Sequence, residues 1–176
     1  GELDLSNKKI LDIGCGTGGA VFQFLEKHNA AEAIGFDPEP LVIEKATELA
    51  AEKNLSDRAK FQCIEPGPIQ ADDESMDVVF SKEAFIHIPD KNELRKDIYR
   101  VLKPSGLLAV GDWMRNDDGP PSEQMIEYIK AEGLDFFMCS LEKYREVLEN
   151  SDSLEFNYSL EISSPGIDRT FFEIEM

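Results

Sequence analysis

Positive charge is what this chain has least of. It carries 18 Lys and Arg against 36 Asp and Glu, a formal charge of −18. Nucleic acids and anionic membrane surfaces both reward Lys and Arg, so neither is expected as its main partner. Cysteine is scarce as well. Cys15, Cys63 and Cys139 are odd in number, widely spaced and show no metal-ligand clustering. That excludes a disulfide framework, gives no reason to expect a metal, and suits a reducing compartment. No apolar run is long enough to span a bilayer, and no signal-peptide pattern opens the chain. A cytoplasmic location is therefore expected. Internal repeats and low-complexity tracts are also absent. A chain of 176 residues without them is expected to form one domain around one ordinary core.

What the chain does have is the stretch Lys9-Ile10-Leu11-Asp12-Ile13-Gly14-Cys15-Gly16-Thr17-Gly18-Gly19. Ile10, Leu11 and Ile13 form the apolar run of a short buried strand. Val21, Phe22, Phe24 and Leu25 then give a helical face. Glycines in the turn between them allow positive φ and leave no Cβ between peptide and ligand. The helix start presents N–H groups with no partner of their own. Such a turn fits the polar part of a nucleotide-like cofactor. Two patterns fit the glycines. Gly14, Gly16 and Gly19 match G-x-G-x-x-G, the fingerprint of dinucleotide sites. Gly14, Gly16 and Gly18, with Asp12 two residues ahead, match D-x-G-x-G-x-G. A tight turn without any ligand is the third alternative.

The rest of the chain alternates strand and helix. Helices are predicted at about 19–28, 40–53 and 91–102, with strands at about 33–37, 59–64, 77–81 and 107–110. In the second helix, Leu41, Ile43, Ala46, Leu49 and Ala50 are expected on the buried side. Asp37 ends the second strand 23 residues after Gly14. An acid there suits a ribose hydroxyl pair, or a helix N-cap before Pro38. Lys103-Pro104-Ser105-Gly106 reads as a tight turn. Two further helices are expected at about 122–131 and 141–149, the second capped by Ser140. Two strands at about 154–162 and 170–174 would make an antiparallel hairpin. The pattern predicts an α/β fold: a doubly wound, mostly parallel sheet with a C-terminal antiparallel hairpin.

The glycine motif, the segment Ser81-Lys82-Glu83-Ala84-Phe85-Ile86-His87-Ile88 and the turn Tyr99-Arg100-Val101-Leu102-Lys103-Pro104-Ser105-Gly106 together resemble the class I S-adenosylmethionine-dependent methyltransferases. The resemblance runs from about Lys9 to Trp113. It is nearest to the phosphoethanolamine N-methyltransferase branch, where the second segment reads Ser-Arg-Asp-Ala-x-x-His. Here Glu83 replaces the Asp and His87 matches the His. The resemblance implies S-adenosylmethionine as cofactor, held by Asp12, Gly14, Cys15, Gly16, Thr17, Gly18, Asp37, Pro38 and Ser81, with Glu65 at the adenine. It implies a small-molecule acceptor, favoured as an amine, with Glu83 and His87 at the reacting end.

The chemistry agrees. A sulfonium methyl needs only an aligned lone pair behind it. Catalysis is then mainly positioning, plus proton removal when the acceptor arrives protonated. Glu83 and His87 are four apart, so on a helix they would share one face. The acid could hold an ammonium or orient the His, and the His could take a proton near neutral pH. Three departures from the branch stand out. Trp113 stands where a Tyr is expected, as a wall of the acceptor pocket. Glu132 stands where an Arg for the substrate phosphate is expected. Helices that would cover the cofactor ahead of the first strand are missing from this sequence. Two alternatives remain: a cofactor-binding regulatory module without turnover, and a NAD-dependent oxidoreductase. The sequence does not set the oligomeric state.

Overall fold

The computed structural model describes residues 4–133 and 135–149. Five strands, β1 (Lys9–Ile13), β2 (Glu32–Asp37), β3 (Ala59–Cys63), β4 (Met76–Lys82) and β5 (Leu102–Gly111), form one sheet in the order β3-β2-β1-β4-β5. Every pairing is parallel. The connections are α1 (Gly19–Glu26), α2 (Pro40–Glu52) and α3 (Lys91–Val101), followed after β5 by α4 (Glu123–Glu132) and α5 (Leu141–Glu149). The predicted parallel, doubly wound sheet is present. The predicted hairpin at 154–162 and 170–174 lies outside the described residues.

Alternation along the strands sorts the core into two layers. Ile10 and Val78 face the side covered by α1 and α2, where they meet Val21, Phe22, Leu25 and Ala50. Leu11, Ile13 and Val79 face the opposite side, with Ile98 and Val101 of α3 and Tyr144 and Leu148 of α5. Strand side chains reverse at each residue, so a strand buried on both faces serves both layers. Right-handed crossovers explain the helix placement. From β1 the chain winds outward through β2 to β3. From β4 it winds the other way to β5. The reversal opens a crevice between the C-terminal ends of β1 and β4, where open α/β sheets bind ligands.

Three local expectations need correcting. Lys103-Pro104-Ser105-Gly106 does not precede β5 but lies within it. Met76 pairs with Leu102 and Val78 with Leu107, so the turn is an irregularity of one strand, with Ser105 at φ 63°. The N-cap of α2 is Glu39, which accepts from the Leu41 N–H at 3.3 Å, rather than Asp37. Leu41 is 72% exposed rather than buried. It lies in the first turn of α2, beyond the edge of the sheet, where no layer lies beneath it. Ser140 does cap α5, accepting from the Lys143 N–H at 3.1 Å.

Candidate functional site

The C-terminal ends of β1, β2 and β4 converge on the glycine turn. The Gly14 and Cys15 N–H groups both donate to the Phe36 carbonyl, at 2.8 and 3.0 Å. Asp37 then ties β2 to the same turn, its Oδ2 accepting from the Gly16 N–H at 2.9 Å and its Oδ1 from the Glu39 N–H at 3.0 Å. A side chain on Gly14 would lie 2.2 Å from the Ala84 Cβ, so the absent Cβ lets the segment after β4 close over β1. At Gly16 (φ +52°), by contrast, an added Cβ would meet nothing within 4 Å. That glycine faces open space beside the crevice.

The choice between the two glycine patterns is visible in the backbone. Gly18 caps α1 in a left-handed conformation, φ 85°, and a Cβ there would sit 2.5 Å from the Phe61 ring. Gly19 lies outside the left-handed region and has open space around it. The required glycines are therefore 14, 16 and 18, the D-x-G-x-G-x-G pattern.

Asp12 is the most unusual group in this half of the site. It is only 3% exposed, and among the described residues nothing donates a hydrogen bond to its carboxylate. Burial, then the nearby charge of Asp37, raises its pKa to about 7. Burying a carboxylate without a partner is costly, and the cost falls when a cation or donor arrives. Cys15 is buried against this pair. Burial, then the charges of Asp12 and Asp37, pushes its thiol far up, so it acts as an apolar wall and not as a nucleophile.

The other expected cofactor residues are dispersed along the same edge. Thr17 is exposed on the turn. Pro38 is exposed, and its carbonyl accepts from the Cys63 thiol at 3.5 Å. Glu65 is exposed beyond β3, brought toward Asp37 by the Ile64 N–H bonding the Asp37 carbonyl at 3.1 Å. Ser81 is not on the surface of the site. It is fully buried, and its hydroxyl donates to the Ile13 carbonyl at 2.9 Å. It joins the ends of β4 and β1 and so fixes the crevice from beneath.

Glu83 and His87 do not share a helical face. Glu83 takes φ 58° with its N–H on the Gly111 carbonyl at 2.7 Å, and only Phe85–His87 forms a single 3-10 turn. Glu83 is exposed and His87 half-buried. His87 Nδ1 lies 2.9 Å from the Asp135 carbonyl oxygen. A carbonyl only accepts, so Nδ1 carries the proton and neutral His87 keeps its lone pair on Nε2.

Sequence reasoning missed a second buried acid. Asp112, directly after β5, accepts from the Tyr144 hydroxyl at 3.0 Å and the Trp113 N–H at 3.2 Å. Burial raises its pKa to about 6. The Tyr144 and Trp113 hydrogen bonds and the charges of Lys91 and His87 oppose that rise. Its place at a strand's C-terminal end was the available signal. Around it stands a run of rings. Trp113 stacks on Tyr128 at 6.4 Å and 11°, Tyr128 lies 6.4 Å from Phe136, and Phe136 lies 4.9 Å from His87.

A β3-β2-β1-β4-β5 parallel sheet with its acids at the reversal point defines a Rossmann-like ligand-binding domain. The family described as "Methyltransferase domain" matches residues 4–132. A phosphoethanolamine N-methyltransferase of Triticum aestivum is 31% identical over 150 residues, covering 85% of this chain and 28% of that protein. A sterol 24-C-methyltransferase of Aspergillus fumigatus is 36% identical over 109 residues, covering 62% of this chain and 29% of that protein. Among solved structures, phosphoethanolamine N-methyltransferase 2 of Haemonchus contortus, in complex with S-adenosyl-L-methionine, superposes with a TM-score of 0.75 at 26% identity. That match covers 85% of this chain and 33% of the other. The chain thus spans less than a third of the two curated relatives. It belongs to the class I S-adenosylmethionine-dependent methyltransferase superfamily.

Proposed function

We propose that this chain binds S-adenosylmethionine and transfers its methyl group to a small-molecule amine. The observation that carries the proposal is the Asp12 carboxylate, 3% exposed and accepting no hydrogen bond among the described residues, beside the open space at Gly16. A group in that position is matched by a cationic ligand. S-adenosylmethionine carries an ammonium and a sulfonium. The residues present fit it: Asp12 for positive charge, the glycine turn for the close approach of backbone, and Asp37 and Glu65 along the edge for the ribose and base. Leu41, exposed in the first turn of α2, offers the base an apolar surface.

When bound, the cofactor supplies an electrophilic methyl group. Everything else falls to this chain. Asp112, at the end of β5, favours an acceptor that arrives as an ammonium. His87 Nε2, unprotonated in the tautomer fixed by the Asp135 carbonyl, accepts the proton that the amine must lose. The rings of Trp113, Tyr128 and Phe136 exclude water from one side and present π faces to the cation. Glu83 stays a candidate for holding the ammonium at the rim, through its own carboxylate and not through His87. What favours amines over sterol- or quinone-like acceptors is that acids, Asp112 and Glu83, and a proton acceptor, His87, lie on the side of the crevice proposed here for the acceptor.

Calorimetric titration with S-adenosylmethionine, S-adenosylhomocysteine and NADH tests the first half, repeated with Asp37→Ala. Binding of the two sulfur cofactors alone, weakened in the variant, is the expected result. Preference for NADH would replace the proposal with a nicotinamide enzyme. Labelled methyl transfer to a panel of small amines tests the second half. Tight cofactor binding with no transfer to any of them would favour a regulatory module.

A further inference from the structure

The ring run after β5 carries more information than the identity of the transferred group. Trp113 follows β5, Tyr128 lies on α4, and Phe136 lies on the segment 135–139 that returns across the end of β4. The Phe137 N–H donates to the Ile86 carbonyl at 2.6 Å, and the Arg115 N–H to the Cys139 carbonyl at 3.0 Å. These bonds tie the 135–139 segment to the stretches after β4 and β5, and ring contacts bring Tyr128 of α4 to the same wall. Trp113 is 38% and Tyr128 41% exposed.

The charges beside this wall are negative. Glu132 lies one helical turn after Tyr128, and its carboxylate hydrogen-bonds the phenol, raising the Tyr128 pKa. Asp112 lies beside Trp113. Two nearby cations are already engaged. The Lys91 ammonium donates to the Ile88 and Phe137 carbonyls, at 3.1 and 2.8 Å. The Arg115 guanidinium donates to the Gly119 carbonyl and lies 3.8 Å from Asp117. Lys130, two residues from both Tyr128 and Glu132, falls on the other side of α4.

Resting on the methyltransferase proposal above, we infer that the acceptor site selects an amine that bears no phosphate or comparable anionic group. The wall of Trp113 and Tyr128 with Glu132 takes an alkylated ammonium through cation–π and charge contacts. A phosphate dianion in the same place would meet Glu132 and Asp112, while Lys91 and Arg115 are held by other partners, and like charges brought together repel.

The chain holds one tryptophan, Trp113, so its emission reports on this wall without any turnover. Protein saturated with S-adenosylhomocysteine is titrated with choline and with phosphocholine, which share a quaternary ammonium and differ in the phosphate. Choline is expected to shift Trp113 emission saturably, with phosphocholine roughly tenfold weaker or worse. Glu132→Gln should weaken choline and narrow the gap between the two. Equal or tighter binding of phosphocholine overturns the inference. So does an absent choline response in protein that binds S-adenosylhomocysteine, and that outcome leaves the methyltransferase proposal standing. Failure to bind S-adenosylhomocysteine at all removes the parent proposal and this one with it.

Discussion

The Tyr144 hydroxyl on α5 donates to Asp112 Oδ2 at the end of β5 across 3.0 Å, and both side chains are buried. The bond favours the ionised carboxylate against burial, which holds its pKa near 6. Tyr144→Phe removes that donor. We expect a stability loss of about 1 kcal/mol and a higher Asp112 pKa. Choline binding, followed by Trp113 emission, should weaken as pH falls through about 6 in the native chain and at a higher pH in the variant. Choline does not itself titrate, so an unmoved midpoint would show that Asp112 does not face the acceptor.

Asp12 sets a second pH dependence. Its folded pKa of about 7 lies above the unfolded value of 3.8, so the folded chain holds the proton more tightly. The stabilisation from that proton is complete below the unfolded pKa and is lost as pH rises toward 7. Asp12→Asn should therefore stabilise the unliganded protein at pH 8, by an amount on the order of a few kcal/mol, while weakening S-adenosylmethionine. Denaturant unfolding at pH 5 and pH 8, with calorimetry alongside, measures both effects. Reduced stability at pH 8 would mean that the carboxylate has a partner in the folded state.

Gly18 and Gly19 are neighbours with opposite tolerance. Gly18→Ala forces a Cβ into the Phe61 ring at a left-handed φ, and should cost about 1–3 kcal/mol. Gly19→Ala adds a methyl to open space at the helix start. It should be neutral, or stabilising by less than about 1 kcal/mol. Chemical denaturation of the two variants side by side checks this.

Replacing His87 should separate chemistry from binding. His87→Gln keeps a donor toward the Asp135 carbonyl but loses the basic Nε2. Methyl transfer should fall about a hundredfold or more, with the dependence on acceptor ionisation flattened. Affinity for S-adenosylhomocysteine should stay within about twofold, because His87 lies on the β4–β5 side of the crevice. Equal losses in rate and cofactor affinity would make His87 a structural residue.

The parallel sheet was legible because β1, β2, β4 and β5 carry apolar runs and the glycine turn fixes where the first one ends; β3, Ala-Lys-Phe-Gln-Cys at the sheet's edge, shows only alternation. The edges of α2 and α5 were legible because Pro40 and Ser140 act locally. The spacing of Glu83 and His87 misled for a specific reason. Glu83 takes a left-handed φ of 58°, which breaks any helix through it, and only Phe85–His87 makes a single 3-10 turn. Leu41 obeyed the apolar period of α2 yet projects past the sheet, which the period does not encode. The Asp112–Tyr144 bond joins residues 32 apart. It depends on how α5 packs on α3, a tertiary fact with no local signature. Ser81 matched a motif position, but strand alternation had already assigned its side chain to the interior.

The crevice divides the sheet into unequal responsibilities. On one side, β1, β2 and β3 carry Asp12, Asp37 and the glycine turn. On the other, β4 and β5 lead to His87, Asp112 and the aromatic wall. The two halves meet where Ala84 closes on Gly14. That closure rests on a missing side chain at position 14 and a small one at 84, above the β1–β4 ladder and the Ser81–Ile13 bond, so any larger residue at either position would lift the segment after β4 off the strand it covers.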